Sequence, residues 1–324
     1  MTQDVGGRRL RTLVLMGGPD AEREVSLQSG EQVANALDAA SDLEVIRLVV
    51  DRPTREDLLA HAPDVVFPVL HGPFGEGGPM QEILESMRVA YVGCRPRAAA
   101  TAMDKVLTKA LASEVGVPTP SARELRVDDG VFEPCDLEPP VVVKPANEGS
   151  SVGLSICRTR EEFDRACRDL VAKGRRVLCE RYIEGRELTV GIVDGEPLPI
   201  IEIVPAVEFY DYEAKYTRED TRYVLDPELP AGIADALRRH TKAVWDRIGC
   251  RDLARADFLL DRRPTPGVWF LEINTMPGMT THSLVPKAAR HRGQSMTELC
   301  AGLVRRAFAR SEAGARSAGV GVRS

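Results

Sequence analysis

Apolar and polar positions along this chain follow two periods, and the switches between them outline the elements. The run LRTLVLMGG from Leu10 reads as a strand that ends in glycines. AEREVSLQSGEQVANALDAA follows with Val25, Val33, Ala36 and Leu37 at helical spacing. LEVIRLVV and PDVVFPVL read as two further strands. PMQEILESM reads as a helix with Pro79 in its first turn, where proline is tolerated. Strand, helix, strand, strand, helix predicts a mainly parallel sheet with helices on its faces, ending near Val92.

The pattern then changes. Arg95 to about Glu114 is helical, and GVPTPSARELRV turns the chain into extended structure. The acid- and proline-rich stretch from Asp128 to Pro140 reads as a surface loop. PPVVVKPANEGSSVGLSIC predicts two strands joined by a loop of small residues. TREEFDRACRDLVAKG predicts a helix capped by Thr159 and stopped at Gly174, and RRVLCERYI another strand. Further on, Asp194-Gly195 between apolar runs signals a hairpin. FYDYEAKYTREDTRYVLDP has no clear period and is long for a plain connection. A helix from Ala231 to Ile248 precedes the strands DLARADFLLD and VWFLEIN, which the turn RRPTPG makes an antiparallel pair. The small-residue tail after Arg310 predicts disorder. The expected fold class is thus α/β followed by α+β, with units at 1–94, 95–180 and 181–310 and a tail at 311–324.

Composition narrows the function classes. The chain has 324 residues, 43% hydrophobic and 28% charged, with a net charge of -6. That is ordinary for a soluble protein and gives no general attraction for nucleic acid or acidic membranes. Its cysteines are scattered without CxxC spacing, against a disulfide framework or zinc site and in keeping with a cytoplasmic protein. LVLM is too short for a signal segment, and no apolar run is long enough to span a membrane.

Two stretches carry chemistry. In VWFLEIN, Glu272 and Asn274 share a face of an otherwise apolar strand. Asp257, in RADFLLD on the neighbouring strand, can join them. Three hard oxygen donors on adjacent strands suit Mg²⁺ that also binds substrate phosphates; a polar sheet face against solvent is the plainer alternative. In VVVKPANEGSSVG, Lys144 ends a strand before Glu148, Gly149, Ser150, Ser151 and Gly153. Small residues let backbone N–H groups approach phosphate, and the lysine adds a point charge. It is not a Walker A sequence. His71 stands at the carboxyl end of a predicted parallel strand, where ligands bind.

AEREVS, MDK, VVVKPANEGSSVG, FYDYEAKY, RAD and LEINTMPGMTTHSLVP occur in this order. Together they resemble the D-alanine:D-alanine ligases of the ATP-grasp superfamily, over nearly the whole chain. The resemblance implies a three-domain ATP-grasp fold with an N-terminal parallel-sheet domain. It implies a cytoplasmic, homodimeric enzyme that joins two D-alanines for peptidoglycan synthesis through an acyl phosphate, using ATP and Mg²⁺, with Mn²⁺ as a substitute. Neither nucleic acid nor membrane is an expected partner.

Carried over by motif, Lys105 and Lys144 would hold the phosphates, Glu180 the adenine and Glu187 the ribose, with Asp257, Glu272 and Asn274 on the metal. Arg255 and the Gly278 N–H would stabilise the tetrahedral oxyanion. Glu22, with Ser150 and Tyr216 bonded to it, would serve the first D-alanine, and Lys215 and Ser283 the second; His71 is a further substrate-binding candidate by its place at the strand end. Tyr216 matches dipeptide-forming members, which implies an amine acceptor.

One region departs from the family. After His-Gly the usual pattern contains Gly-Glu-Asp-Gly and a small hydroxyl residue, whereas HGPFGEGGPMQE has Gly77 and Pro79 there. The expected result is an intact helix beside a loosened or altered first-substrate loop, with Gly77→Asp restoring it. Other readings are an ATP-grasp ligase joining different amino acids in a natural-product or resistance pathway, and a non-catalytic nucleotide-binding protein. A Rossmann dehydrogenase is disfavoured because GGPDAE lacks GxGxxG.

Overall fold

The computed structural model describes residues 8–125, 127–128, 131–132, 135–149, 153–204 and 221–320. Its first sheet is made of β1 (Leu10–Gly17), β2 (Leu43–Val50), β3 (Val65–Pro68) and β4 (Ala90–Tyr91), in the order β2-β1-β3-β4. All neighbours are parallel. The continuous apolar run of β1 is explained by burial on both faces. Val14 and Met16 join one core, and Leu13 and Leu15 join another. Helices α1 (Arg23–Asp38), α2 (Arg55–Leu59), α3 (Gly72–Glu76) and α4 (Pro79–Met87) connect and cover these strands.

The single helix expected from Arg95 to Glu114 is two: α5 (Pro96–Met103) and α6 (Lys105–Glu114). Asp104 takes an extended ψ of 102° and its carboxylate accepts the Leu107 N–H, capping α6. An aspartate in an alanine-rich run thus ends one helix and starts the next. Ala98, Ala99 and Ala102 of α5, with Ala112 of α6, pack into the core of the third sheet.

The second sheet runs β5 (Ala122–Glu124), β10 (Val177–Arg181), β8 (Val141–Pro145) and β9 (Ser155–Cys157), all antiparallel. The stretch expected to be a plain loop contains a small hairpin of β6 (Val127–Asp128) and β7 (Val131–Phe132). Helix α7 (Arg160–Ala172) starts at the Thr159–Glu162 capping box and is followed by Gly174 at φ 68°.

The third sheet has the order β13 (Arg222–Leu225), β12 (Glu196–Val204), β11 (Gly185–Val193), β14 (Leu253–Asp261) and β15 (Val268–Asn274), again antiparallel. Asp194 and Gly195 turn β11 into β12 with φ of 54° and 78°, the left-handed pair of a tight hairpin. Helix α8 (Ile233–Ile248) packs with α5 and α6 on one face, while α9 (Leu284–His291) packs against β11 and β12. Helix α10 (Met296–Val320) continues past Arg310, where composition pointed to a tail. Its Leu299, Leu303, Val304 and Ala307 share one core with Val14, Leu37 and Phe67 of the first unit. Among the described residues, no helix is long and apolar enough to cross a membrane.

Candidate active site

The hairpin β14–β15 brings the three oxygen donors together. Asp257 lies opposite Glu272, and Arg255 opposite Asn274. The register shifts directly after Asp257, because Phe258 pairs with Phe270 and leaves Leu271 without a partner on β14. Such a bulge re-aims side chains beside it. Asp257 accepts two bonds from Arg255, at 2.9 and 2.8 Å, and one from Thr189 Oγ1 at 2.6 Å. Asn274 Oδ1 accepts the Met276 N–H at 2.9 Å. Lys105, the first residue of α6, lies 3.1 Å from Glu272 Oε2 and donates to Glu148 O at 2.6 Å.

A second cation–carboxylate cluster lies on the second sheet. Lys144 is opposite Leu178, hence diagonal to Glu180 on the same face. Its Nζ is 2.6 Å from Glu180 Oε2, and Lys109 Nζ is 2.6 Å from Oε1. Burial pushes the Glu180 carboxyl up, but Lys144 and Lys109 more than offset it and hold it below the ordinary carboxylate range.

Two cavities meet between these clusters. The first, of about 500 Å³, is lined by Arg255, Asn274, Gly278 and Ser283. The second, of about 620 Å³, is lined by Lys144, Glu180, Val142, Ile156 and Ile183. Lys105, Glu187, Asp257 and Glu272 line both. The second cavity thus offers an apolar slot with lysines at one end. The shared wall offers carboxylates and one lysine.

Beside Gly149 of the first cavity's wall, Glu22 is buried at the N-cap position of α1. A Cβ added at Gly149 would sit 3.0 Å from Glu22 Oε2, so the glycine loop and Glu22 are in close approach. A Cβ at Gly278 would sit 2.9 Å from Ser283 Oγ, which accepts the Thr280 N–H at 3.0 Å. Ser29 Oγ accepts the Met279 N–H at 3.1 Å, tying α1 to the same loop. His71 is buried at the N-cap position of α3, and burial lowers its basicity against the attraction of Glu22. Ser150, Lys215 and Tyr216 lie outside the described residues.

The departing loop is closely packed at Gly77 and hydrogen-bonded through Gln81. A Cβ at Gly77 would sit 2.3 Å from Pro73 O, and Gly78 has φ 120°. Gln81 closes the turn: its Oε1 accepts the Gly78 N–H at 3.0 Å and its Nε2 donates to Gly75 O at 2.8 Å. Helix α4 begins at Pro79 as expected, and at Gly77 the Pro73 backbone fills the space an aspartate side chain would need.

Sequence reasoning missed three residues. Glu76 is buried and accepts the Gly72 N–H at 3.2 Å; burial and the neighbouring Glu22 push its carboxyl up to about 8. Thr189 orients Asp257. Lys109 follows Lys105 by one helical turn in MDKVLTK, and that spacing was a usable signal. Among the described residues there is no cluster of three or more His, Cys, Asp or Glu suited to a metal. Two carboxylates and an amide suit Mg²⁺, which takes much of its shell from water and phosphate.

Sequence models of the D-ala D-ala ligase N-terminus and C-terminus match residues 50–94 and 115–305. The D-alanine--D-alanine ligase of Anaeromyxobacter dehalogenans is 42% identical over 299 residues, covering 90% of this chain and 94% of that protein. That of Aquifex aeolicus is 39% identical over 291 residues, covering 90% of this chain and 98% of the relative. Among solved structures, the Bacillus anthracis D-alanine--D-alanine ligase complexed with ATP aligns with a TM-score of 0.80 at 31% identity, over 95% of this chain and 99% of that one.

Proposed function

This chain belongs to the D-alanine–D-alanine ligase family, and we propose that it is the ATP-dependent ligase that makes D-alanyl-D-alanine for peptidoglycan synthesis. The observation that carries the proposal is the junction of two cavities at Lys105, Asp257 and Glu272. A nucleotide in the apolar slot would end its phosphates there, beside a site sized for two small amino acids.

The carboxylate of the first D-alanine attacks the γ-phosphorus of ATP, forming D-alanyl phosphate and releasing ADP. The amine of the second attacks the acyl carbon, and the tetrahedral intermediate expels phosphate as the nitrogen loses a proton. Lys105 and Lys144 hold the phosphates, Glu180 faces the adenine and Glu187 the ribose. Arg255 and the Gly278 N–H meet the oxyanion, where one donor is worth roughly 10²–10³-fold in rate. Glu22, Ser150, Tyr216 and His71 serve the first D-alanine, and Lys215 and Ser283 the second. Asp257, Glu272 and Asn274 would hold Mg²⁺, which supplies charge neutralisation for phosphoryl transfer.

The proposal includes a three-domain organisation at 1–94, 95–180 and 181–310, which the three sheets support. It also includes a cytoplasmic homodimer, to be checked by light scattering. A second reading, the same chemistry on a different first amino acid, is favoured by the altered loop at Gly77 and Pro79.

The deciding assay is Mg²⁺-dependent release of ADP and phosphate across a panel of D-amino acids, with the product identified by mass. Stimulation by D-alanine and formation of D-alanyl-D-alanine are expected. AMP and pyrophosphate instead would sink the acyl-phosphate route, and preference for another amino acid would favour the second reading.

A further inference from the structure

Glu180 carries more counter-charge than a nucleotide-binding carboxylate needs. It is 2% exposed, and its two cations, Lys109 and Lys144, are 5% and 7% exposed. The charged groups facing it are Lys109 from α6 and Lys144 from β8, with Glu272 of β15 the next charge beyond Lys109.

The two lysines differ in how they are held. Lys109 Nζ also donates to Thr119 Oγ1, whose hydroxyl donates to Phe270 O at 3.0 Å. This fixes Lys109 to β15. Lys144 has no polar side-chain partner except Glu180 among the described residues. Lys144 lines the nucleotide-sized cavity, and Lys109 is not in its wall. One cation is tethered behind the carboxylate, and the other stands on the ligand side.

When a nucleotide enters, its phosphates and Glu180 compete for Lys144. A lysine drawn to phosphate leaves Glu180 short of one counter-ion in a site from which water is excluded. Stripping the partner from a buried charge is strongly unfavourable unless another cation remains. We propose that Lys109 is a positioning residue that acts as the standing counter-cation of Glu180. It keeps that carboxylate ionised and fixed while Lys144 passes to the phosphates. The inference rests on the reading of Lys144 as a phosphate ligand.

The test is calorimetric titration of the full-length enzyme with ADP and Mg²⁺, in two buffers of different ionisation heat, at pH 6.5 and pH 8. With Lys109→Met, Glu180 must take up a proton when Lys144 leaves it. The variant should bind ADP roughly 100-fold more weakly than wild type at pH 8. The loss should shrink at pH 6.5, with up to one more proton absorbed per ADP than in wild type. Lys109→Arg should restore binding. In steady state the ATP KM should rise far more than kcat falls.

Should Lys109→Met fail to fold, the charge-balanced Lys109→Met/Glu180→Gln protein is compared with Glu180→Gln. Equal ADP affinity supports the inference, and weaker binding by the double variant overturns it. A folded Lys109→Met enzyme with wild-type affinity and no added proton uptake overturns it too. A wild-type enzyme that binds no ADP would instead overturn the ATP reading beneath it.

Discussion

Thr189 and Asp257 face each other across β11 and β14, and the threonine hydroxyl donates to Asp257 Oδ1 at 2.6 Å. The two bonds from Arg255 reach this carboxylate from the same sheet face as that of Thr189. Its direction is therefore set before any cation arrives. Thr189→Val keeps the shape and removes the donor. We expect the Mg²⁺ concentration for half-maximal ADP release to rise roughly 10-fold, the scale of loss when a residue supporting a metal ligand is changed. An unchanged Mg²⁺ dependence would show that Thr189 matters only to the fold.

Glu76 gives a pH-dependent stability. Its folded-state pKa is raised from 4.5 to about 8 by burial and by Glu22. The folded protein therefore binds more protons than the unfolded chain between those values, and stability falls as pH rises through that window. The loss is up to about 1.4 kcal/mol per pH unit. Glu76→Gln lacks this titration, so its stability relative to wild type should improve from pH 5 to pH 8 and level off above. Urea melts at several pH values will show it. A constant difference would place the Glu76 titration elsewhere.

Gly77→Asp should harm rather than restore the first-substrate loop. The new Cβ would meet the Pro73 carbonyl at 2.3 Å, and relieving such crowding costs about 1–3 kcal/mol. The melting temperature should fall and the first-site KM for D-alanine should rise, with the ATP KM unaltered. A more stable variant with tighter D-alanine binding would contradict the packing.

Arg310 and Asp252 connect α10 to the loop before β14. Arg310 donates to both Asp252 oxygens, at 2.7 and 2.9 Å, and the carboxylate is buried. Arg310→Ala leaves that carboxylate the Gly93 N–H but takes away its Arg310 counter-charge. The loss should be on the order of 3 kcal/mol, the low end for a buried charge because the guanidinium is partly exposed. Denaturant unfolding will test this, and a change near zero would mean that water replaces the arginine.

Side-chain periodicity made much of this molecule legible. Alternation placed Glu272 and Asn274 on one face and let Asp257 meet them, and the structure pairs Asp257 with Glu272. The Asp194-Gly195 turn and the Thr159 cap were equally local. What the sequence hid depends on contacts distant in the chain. The apolar run through Phe270 and Leu271 gives no sign of a bulge, because both residues suit a strand. The break at Asp104 lies between two stretches of good helix formers. The lost acid at Gly77 is visible as a letter, but the Pro73 carbonyl that occupies its place is not. The one-turn spacing of Lys109 from Lys105 is visible in the sequence, but the Glu180 that β10 brings against it is not.

The shared core of α10 and the first sheet bears on how the chain is made. Leu303 and Val304 are made long after Val14 and Phe67, yet the four share one core. Domains that emerge early usually fold while synthesis continues. Here one face of the first sheet, partly covered by α1, stays incomplete until α10 has been made. Nascent chains stalled before Met296 should expose that part of the apolar face to chaperones and proteases, and emergence of α10 should end the exposure.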